Sequence, residues 1–333
     1  MKGARPRRAG AAHLRSGSTS RAGRSRGTAL LLAMVILTLV ATTAAGMVWQ
    51  QRRAVQIEAA ERARSQAAWV LQGALDWARL VLREDQRAGA VDHLGEPWAV
   101  PLAEARLSTF LAADADPTAA DGPEAFLSGR IADLQSHFNA ANLIDDEDKV
   151  VPAELAVLQR LCELAGAPAD TADRIAKGLA GAETEGATDA PLTPQRFEHL
   201  AWLGIEPTTL ERLAPFVTLL PARTPVNLNT APREVIAAVI DGLDPGTAER
   251  LVQRRLRQPF GSVAEVQREL PQGLTMTEGR VAVSTRFFEV VGRLRLDERV
   301  LEQRSLVERR GAAQGGEVVA LWRERRAAST PNP

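Results

Sequence analysis

The chain is poor in the residues that carry chemistry. Its 333 residues include one cysteine, Cys162, so no internal disulfide can form. Cys162 lies in LQRLCELAG at helical spacing and reads as a small buried apolar residue. The four histidines, His13, His93, His137 and His199, are scattered. No H-x-x-x-H or C-x-x-C pairing is present, which excludes a zinc site of ordinary spacing. G-x-S-x-G, the phosphate loop and the dinucleotide fingerprint are also missing. Nothing in the sequence points to an enzyme.

Two absences of charge are more informative. Up to Gly27 there is no acidic residue, only Lys2, Arg5, Arg7, Arg8, Arg15, Arg21, Arg24 and Arg26. From Thr28 to Trp49 there is no charge of either sign over 22 residues. About 20 apolar residues suffice for a helix to span a bilayer. Arginines on the N-terminal side predict that this side stays in the cytoplasm. A secretory signal peptide has a shorter apolar core, 7–15 residues, followed by a small-residue site. Ala44-Ala45-Gly46 offers such a site, but the polar segment after it reads on as helix. An uncleaved signal anchor is the other ordinary reading. Gly27 stands directly between the last arginine and the first apolar residue. A basic leader ending in glycine, followed at once by an uncharged helix, resembles a type IV prepilin. In that family a prepilin peptidase cuts on the cytoplasmic face and the helix stays in the protein.

Between Gln50 and Asp85 there is no proline and one glycine, Gly73. Ala60, Ala63, Ala67, Val70, Leu71, Ala74, Leu75, Ala78 and Leu82 recur at helical spacing. Glu58 and Arg62 stand at i,i+4 in the favourable order. The pattern predicts one continuous helix of about 55 residues, with an apolar stripe on its outer half. Lys plus Arg is 41 and Asp plus Glu is 41, and the leader holds no acid, so the rest of the chain is net acidic. That argues against nucleic acid as a partner of the body as a whole.

Residues 87 to about 126 read as loops, and AFLSGRIADLQSHFNAANLI as a strand or strand pair ending in an Asn-rich turn. VPAELAVLQRLCELAG is a helix opened by proline and stopped by Gly166. ADTADRIAKGLAG, TPQRFEHLAWLG and TTLERLAPFVTLL read as further helices. NTAPREVIAAVIDGL and DPGTAERLVQRRLRQ read as a close pair, with Asn227, Asn229 and Thr230 as turn and N-cap and Pro232 at the helix start. From Val281 the pattern returns to strands. A β, then α, then β order predicts an α+β body with a helical block inserted into it.

IADLQSHFNAANLID (131–145) and TPVNLNTAPREVIAAVIDGLDPGTAERLVQRRLRQPFGSVAEV (224–266), taken with the Gly27 junction, resemble the K proteins of the type II secretion system. The resemblance runs from Gly27 to about Arg325. It implies a long N-terminal transmembrane helix and a pilin-like antiparallel β-sheet domain carrying an inserted all-α, SAM-like or helix-hairpin-helix-like domain. The implied boundaries are a leader at 1–27, the helix at 28–86 with its span at 28–49, the β domain at 87–145 and 281–326, the insert at 146–280, and a disordered tail at 327–333. It also implies a minor pseudopilin at the tip of a pseudopilus, in the inner membrane as a single-pass protein with a periplasmic body. The implied partners are the minor pseudopilins I and J, the other pseudopilins and the prepilin peptidase, with cleavage after Gly27 and N-methylation of Thr28. No cofactor is required.

In most pseudopilins the fifth residue after the cut is glutamate, whose buried carboxylate needs a partner. Here it is Leu32, as in the K proteins, which fits a subunit with no neighbour above it; leucine is also the commonest residue of any membrane helix. The 224–266 segment also resembles the helix-hairpin-helix of membrane-anchored DNA receptors for uptake. Arg250, Arg254, Arg255 and Arg257 would form the basic patch, while Asp241 and Asp244 would repel phosphate. The carboxylates of Asp145, Asp146, Glu147 and Asp148 leave two readings open: an acidic solvated turn, or the calcium that the resemblance implies at Asp145, Asp146 and Asp148.

Overall fold

The computed structural model describes residues 22–107, 125–183, 192–296, 299–311 and 316–328. The leader before residue 22, the acidic stretch 108–124 and residues 329–333 lie outside them. Helix α1 spans Ala22–Ala88 and so begins ahead of Gly27. By contacts the chain divides into two units, Met1–Gln66 and Ala67–Pro333.

In the first unit α1 stands alone. Leu30 to Trp49 present their apolar side chains outward, with Leu32 62 % exposed. Thr38, Thr42 and Thr43 turn their hydroxyls back onto the carbonyls of Val35, Leu39 and Val40 at 2.9–3.0 Å. Polar side chains that satisfy themselves on their own helix suit a hydrocarbon environment.

The second unit is built on a five-stranded antiparallel sheet of order β1-β2-β7-β8-β9. Its strands are β1 (Leu102–Arg106), β2 (Ala125–Asp133), β7 (Phe287–Leu296), β8 (Arg299–Arg310) and β9 (Glu317–Ala328). β1 falls in the region expected to be loop, and β9 takes in Ala327 and Ala328, which were assigned to the tail. Period-2 alternation sends Phe288, Val290 and Leu294 to one face, where they meet Leu71, Leu75, Ala78 and Leu82 of α1. Gly129 is required by pairing, because a Cβ there would stand 2.7 Å from the Val291 carbonyl oxygen.

The helical segment enters the chain between β2 and β7, which are neighbours in the sheet. It holds α2 (Pro152–Leu164), α3 (Thr171–Glu183), α4 (Pro207–Leu213), α5 (Arg233–Val239), α6 (Pro245–Arg257) and α7 (Val263–Glu269). Pro152 opens α2, and Gly166 leaves it at φ 63°. Two expected helices are shorter than the sequence suggested. Phe197–Leu203 is 3-10 helix, and α4 stops at Leu213, beyond which Val217–Thr218 becomes β4. β4 pairs in parallel with β3 (Phe138–Asn139), and β5 (Val226–Asn227) pairs in parallel with β6 (Val281–Ala282). The core of this segment takes in Phe138, Ala140 and Leu143 on one side and Val281 on the other, around Leu158, Leu161, Ile175, Ile236 and Phe260.

Candidate functional site

Gly27 and Thr28 both lie within α1, and, apart from the helix's own neighbouring backbone, no atom of the described residues comes within 4 Å of where a Gly27 Cβ would stand. The fold itself therefore has no steric need of glycine there. At the far end of the apolar run the Arg53 guanidinium lies 5.6 Å from the Trp49 ring centroid. An indole beside a cation is the arrangement found at membrane interfaces. Among the described residues α1 is the helix long and apolar enough to cross a membrane.

The acidic loop is used internally. Asp145 Oδ1 accepts from the Glu147 and Lys149 amides at 2.9 Å, and the Lys149 bond first of all holds its carboxyl below the usual range. Asp146 pairs with Arg223 at 2.6 Å and Glu147 with Lys149 at 2.6 Å, while Asp148 closes the turn at φ 58°. Calcium needs six to eight converging oxygens. Among the described residues, Asp145, Asp146 and Asp148 do not form a group of carboxylates within 4.8 Å of one another. The carboxylates that do converge among the described residues are Asp85, Asp92 and Glu96, within 4.8 Å of one another, and the Arg309 guanidinium already pairs with Asp85 and Asp92.

The carboxylates of the hairpin between α5 and α6 are likewise taken up by the chain's own groups. Asp241 receives Arg160 at 2.6 Å and Arg280 at 3.1 Å; burial works to raise its pKa, but these hydrogen bonds hold it below the ordinary value. Asp244 caps α6 through the Thr247 amide at 2.9 Å. Arg255 is buried against the Leu228 carbonyl at 2.5 Å, and burial lowers its pKa to about 10. Arg250 reaches Thr247, and Arg254 reaches the Gln258 carbonyl. Of the four arginines expected to meet phosphate, two thus hold their own helix and Arg255 holds the distant Leu228 carbonyl. Pro232 precedes α5 without capping it, and Thr230 sends its hydroxyl to Asp133 at 2.6 Å.

Buried polar side chains order the segment and tie it to the sheet. Asn139 is fully buried: its amide donates to the Ala222 carbonyl and Thr224 hydroxyl, and its oxygen accepts from Ala141 and Leu220. Asn227 Nδ2 donates both to Asp133 Oδ2 at 3.0 Å and to the Asp92 carbonyl at 3.1 Å. Sequence reading missed this joint. Its one visible trace is a set of Asn and Thr residues inside otherwise apolar runs.

A cleft of about 660 Å³ runs along α1 from Trp69 to Val81, between that helix, residues 97–102 and the sheet face of β2, β7 and β8. Trp69 and Trp77 flank Gly73 there and are 76 % and 56 % exposed.

Residues 136–222 and 226–284 match the two family models described as type II secretion system protein K. The protein K of Pseudomonas aeruginosa is 31 % identical over 82 % of this chain and 85 % of its own length. That of Pectobacterium carotovorum is 26 % identical over 93 % of this chain and 99 % of its own. A crystal structure of the GspK-GspI-GspJ complex from the enterotoxigenic Escherichia coli type 2 secretion system contains a similar fold. Its TM-score is 0.60 at 18 % identity, over 81 % of this chain and 99 % of the other. The chain belongs to the protein K family of the type II secretion system.

Proposed function

We propose that the chain is the minor pseudopilin at the tip of the type II pseudopilus, where it starts and caps assembly without catalysing a reaction or needing a cofactor. The observation that carries this reading is α1, bare and apolar from Leu30 to Trp49 and packed on the sheet through Ala67, Leu71, Leu75 and Leu82. That helix crosses the inner membrane once, with the basic leader in the cytoplasm and the body in the periplasm. Prepilin peptidase cuts after Gly27, the residue that the fold leaves sterically free, and Thr28 becomes the methylated N-terminus. Pseudopilins I and J, partners of the similar chain in the crystallised complex, bind here too. The exposed apolar face at Trp69 and Trp77 is the surface open to them.

N-terminal sequencing of the mature protein tests the junction. A start at Thr28 supports the reading, whereas a start after Ala45 or an uncut Met1 removes it. Leu32→Glu tests the tip position. An unpaired carboxylate costs about 2.5–3.5 kcal/mol at the bilayer centre, and a tip subunit has no neighbour above to pair with it. The variant is expected to impair insertion or tip assembly. Increased incorporation along the whole fibre would exclude the cap.

A further inference from the structure

The corner where β2 ends holds more acid than base. Asp133 closes that strand at 4 % exposure, and among the described residues no ion pair reaches it. Its Oδ1 accepts from the Gln135 amide at 2.7 Å. Its Oδ2 accepts from Asn227 Nδ2 at 3.0 Å and Thr230 Oγ1 at 2.6 Å. Asn227 continues the chain of bonds to the Asp92 carbonyl. Asp92 and Asp85 share the Arg309 guanidinium, with the Glu96 carboxylate beside them. Gln135 adds a second tie, accepting from the Arg286 amide at 2.7 Å and donating to the Pro225 carbonyl at 3.1 Å. The end of α1, the 92–96 loop, β2 and β8 thus meet the helical segment through Asn227, Thr230 and Pro225.

The same geometry has a place for a proton. Thr230 Oγ1 lies 2.6 Å from Asp133 Oδ2 and 3.3 Å from the Asn227 carbonyl oxygen. With Asp133 ionised, the hydroxyl donates to the carboxylate. With a proton on Oδ2, the acid donates to the hydroxyl oxygen, and the hydroxyl turns its own hydrogen to the Asn227 carbonyl. No heavy atom has to move, and the buried corner loses an uncompensated charge. We propose that Asp133 takes up a proton in mildly acidic surroundings and that this uptake tightens the seat of the helical segment on the sheet. The inference does not rest on the assembly role proposed above.

Burial pushes the Asp133 carboxyl up to about 6, against the hydrogen bonds from Thr230, Thr285, Asn227 and Gln135. Asp85 is pushed up to about 6 as well, by burial and then by Glu96, with Arg309 opposing. A folded-state pKa above the unfolded value of 3.8 means that stability is fully present below 3.8 and is lost as pH rises through about 6. His137 works the other way, since burial holds its imidazole down at about 4.

The test is urea unfolding of the full chain in detergent micelles with His137→Gln in place, which removes the opposing titration. From pH 7 to pH 5 the folding equilibrium constant is expected to rise about tenfold from Asp133 alone. Asp133→Asn, which removes the titrating carboxyl, should abolish that tenfold part, whereas Thr230→Val, which removes a hydrogen bond that holds the carboxyl down, should keep or enlarge it. A constant that stays level or falls on acidification overturns the proposal, as does a rise that Asp133→Asn leaves whole. Should Asp133→Asn fail to fold, amide exchange at residues 226–231 of the His137→Gln chain decides. Corrected for intrinsic rates, it should slow at pH 5, and equal or faster exchange overturns the proposal.

Discussion

The sheet carries two seats of opposite chemistry. Under α1 the contact is apolar: Leu71, Leu75 and Leu82 meet Phe288, Val290 and Leu294, with Trp98 edge-to-face on Phe288 at 5.2 Å. Between the sheet and the helical segment, a small apolar cluster of Leu220, Phe287 and Leu306 is joined by buried hydrogen bonds from Asn227 and Thr230 to Asp133 and from Gln135 to the Pro225 carbonyl. Apolar burial is non-directional and scales with area, so the first seat supplies adhesion and tolerates exchange of similar side chains. A buried polar group must find its particular partner or be left unpaired. The second seat therefore fixes one placement of the segment and is intolerant of loss.

The largest expected effect comes from the apolar seat. Phe288 is fully buried, and Phe288→Ala should lower unfolding stability by about 3–5 kcal/mol, measured in urea. A loss below about 1 kcal/mol would show that α1 does not depend on this contact. Next comes Asn139→Ala, which strips four hydrogen bonds from a side chain with no exposure. Some orphaned groups will regain water, so a loss of about 3 kcal/mol is expected. If Asn139→Leu were neutral, this buried polar network of the segment would be replaceable by packing, and its contrast with the apolar seat would fail.

The third prediction separates the seats by pH. The imidazole of His137 is held at about 4 by burial, against an ordinary 6.5. Its contribution is present above pH 6.5 and lost as pH falls toward 4. Acid unfolding of the chain should therefore begin at a lower pH in His137→Gln. An unchanged midpoint would mean that the imidazole takes up its proton without disturbing the corner. The smallest effect on stability is expected at the cleft. Trp69→Ala and Trp77→Ala remove exposed side chains and should change unfolding by no more than about 0.5 kcal/mol. The same variants should weaken co-purification with pseudopilins I and J. Retained partners together with a large loss of stability would mean that the indoles serve the fold.

Much of the architecture was legible in advance because it follows from local pattern. The charge-free run from Thr28 to Trp49 and the 3.6-residue stripe through Leu71, Leu75 and Leu82 predict α1 without reference to the rest of the chain. Pro152 and Gly166 mark α2 by backbone restriction alone. The long strands β7 and β8 show in their branched and aromatic residues. Strand β1 was missed because LAEAR has no β-rich composition; pairing with β2 makes it a strand. The Phe197–Leu203 segment carries a helical pattern, yet it folds as 3-10 helix and ends at Gly204 with φ 78°.

The acidic loop and the hairpin arginines show the limit of reading types and spacing. Asp145 to Asp148 have the composition of an ion site, yet Asp145 and Glu147 are held by groups of the same loop and Asp146 by Arg223, far away in sequence. Arg255 looks like a cation offered to solvent, and packing turns it onto the Leu228 carbonyl.

By itself the sequence determined the long apolar helix and the α+β order with helices set between strands. Each of these depends on composition, period and backbone restriction within a few turns of chain. Only the tertiary structure decided which polar groups meet inside. Asn227 and Asp133 are 94 residues apart, Arg309 and Asp85 224 apart, and neither residue of either pair carries a local sign of its partner. A buried carboxylate takes its charge state from burial and from the donors around it, and those exist only once the distant strands have paired.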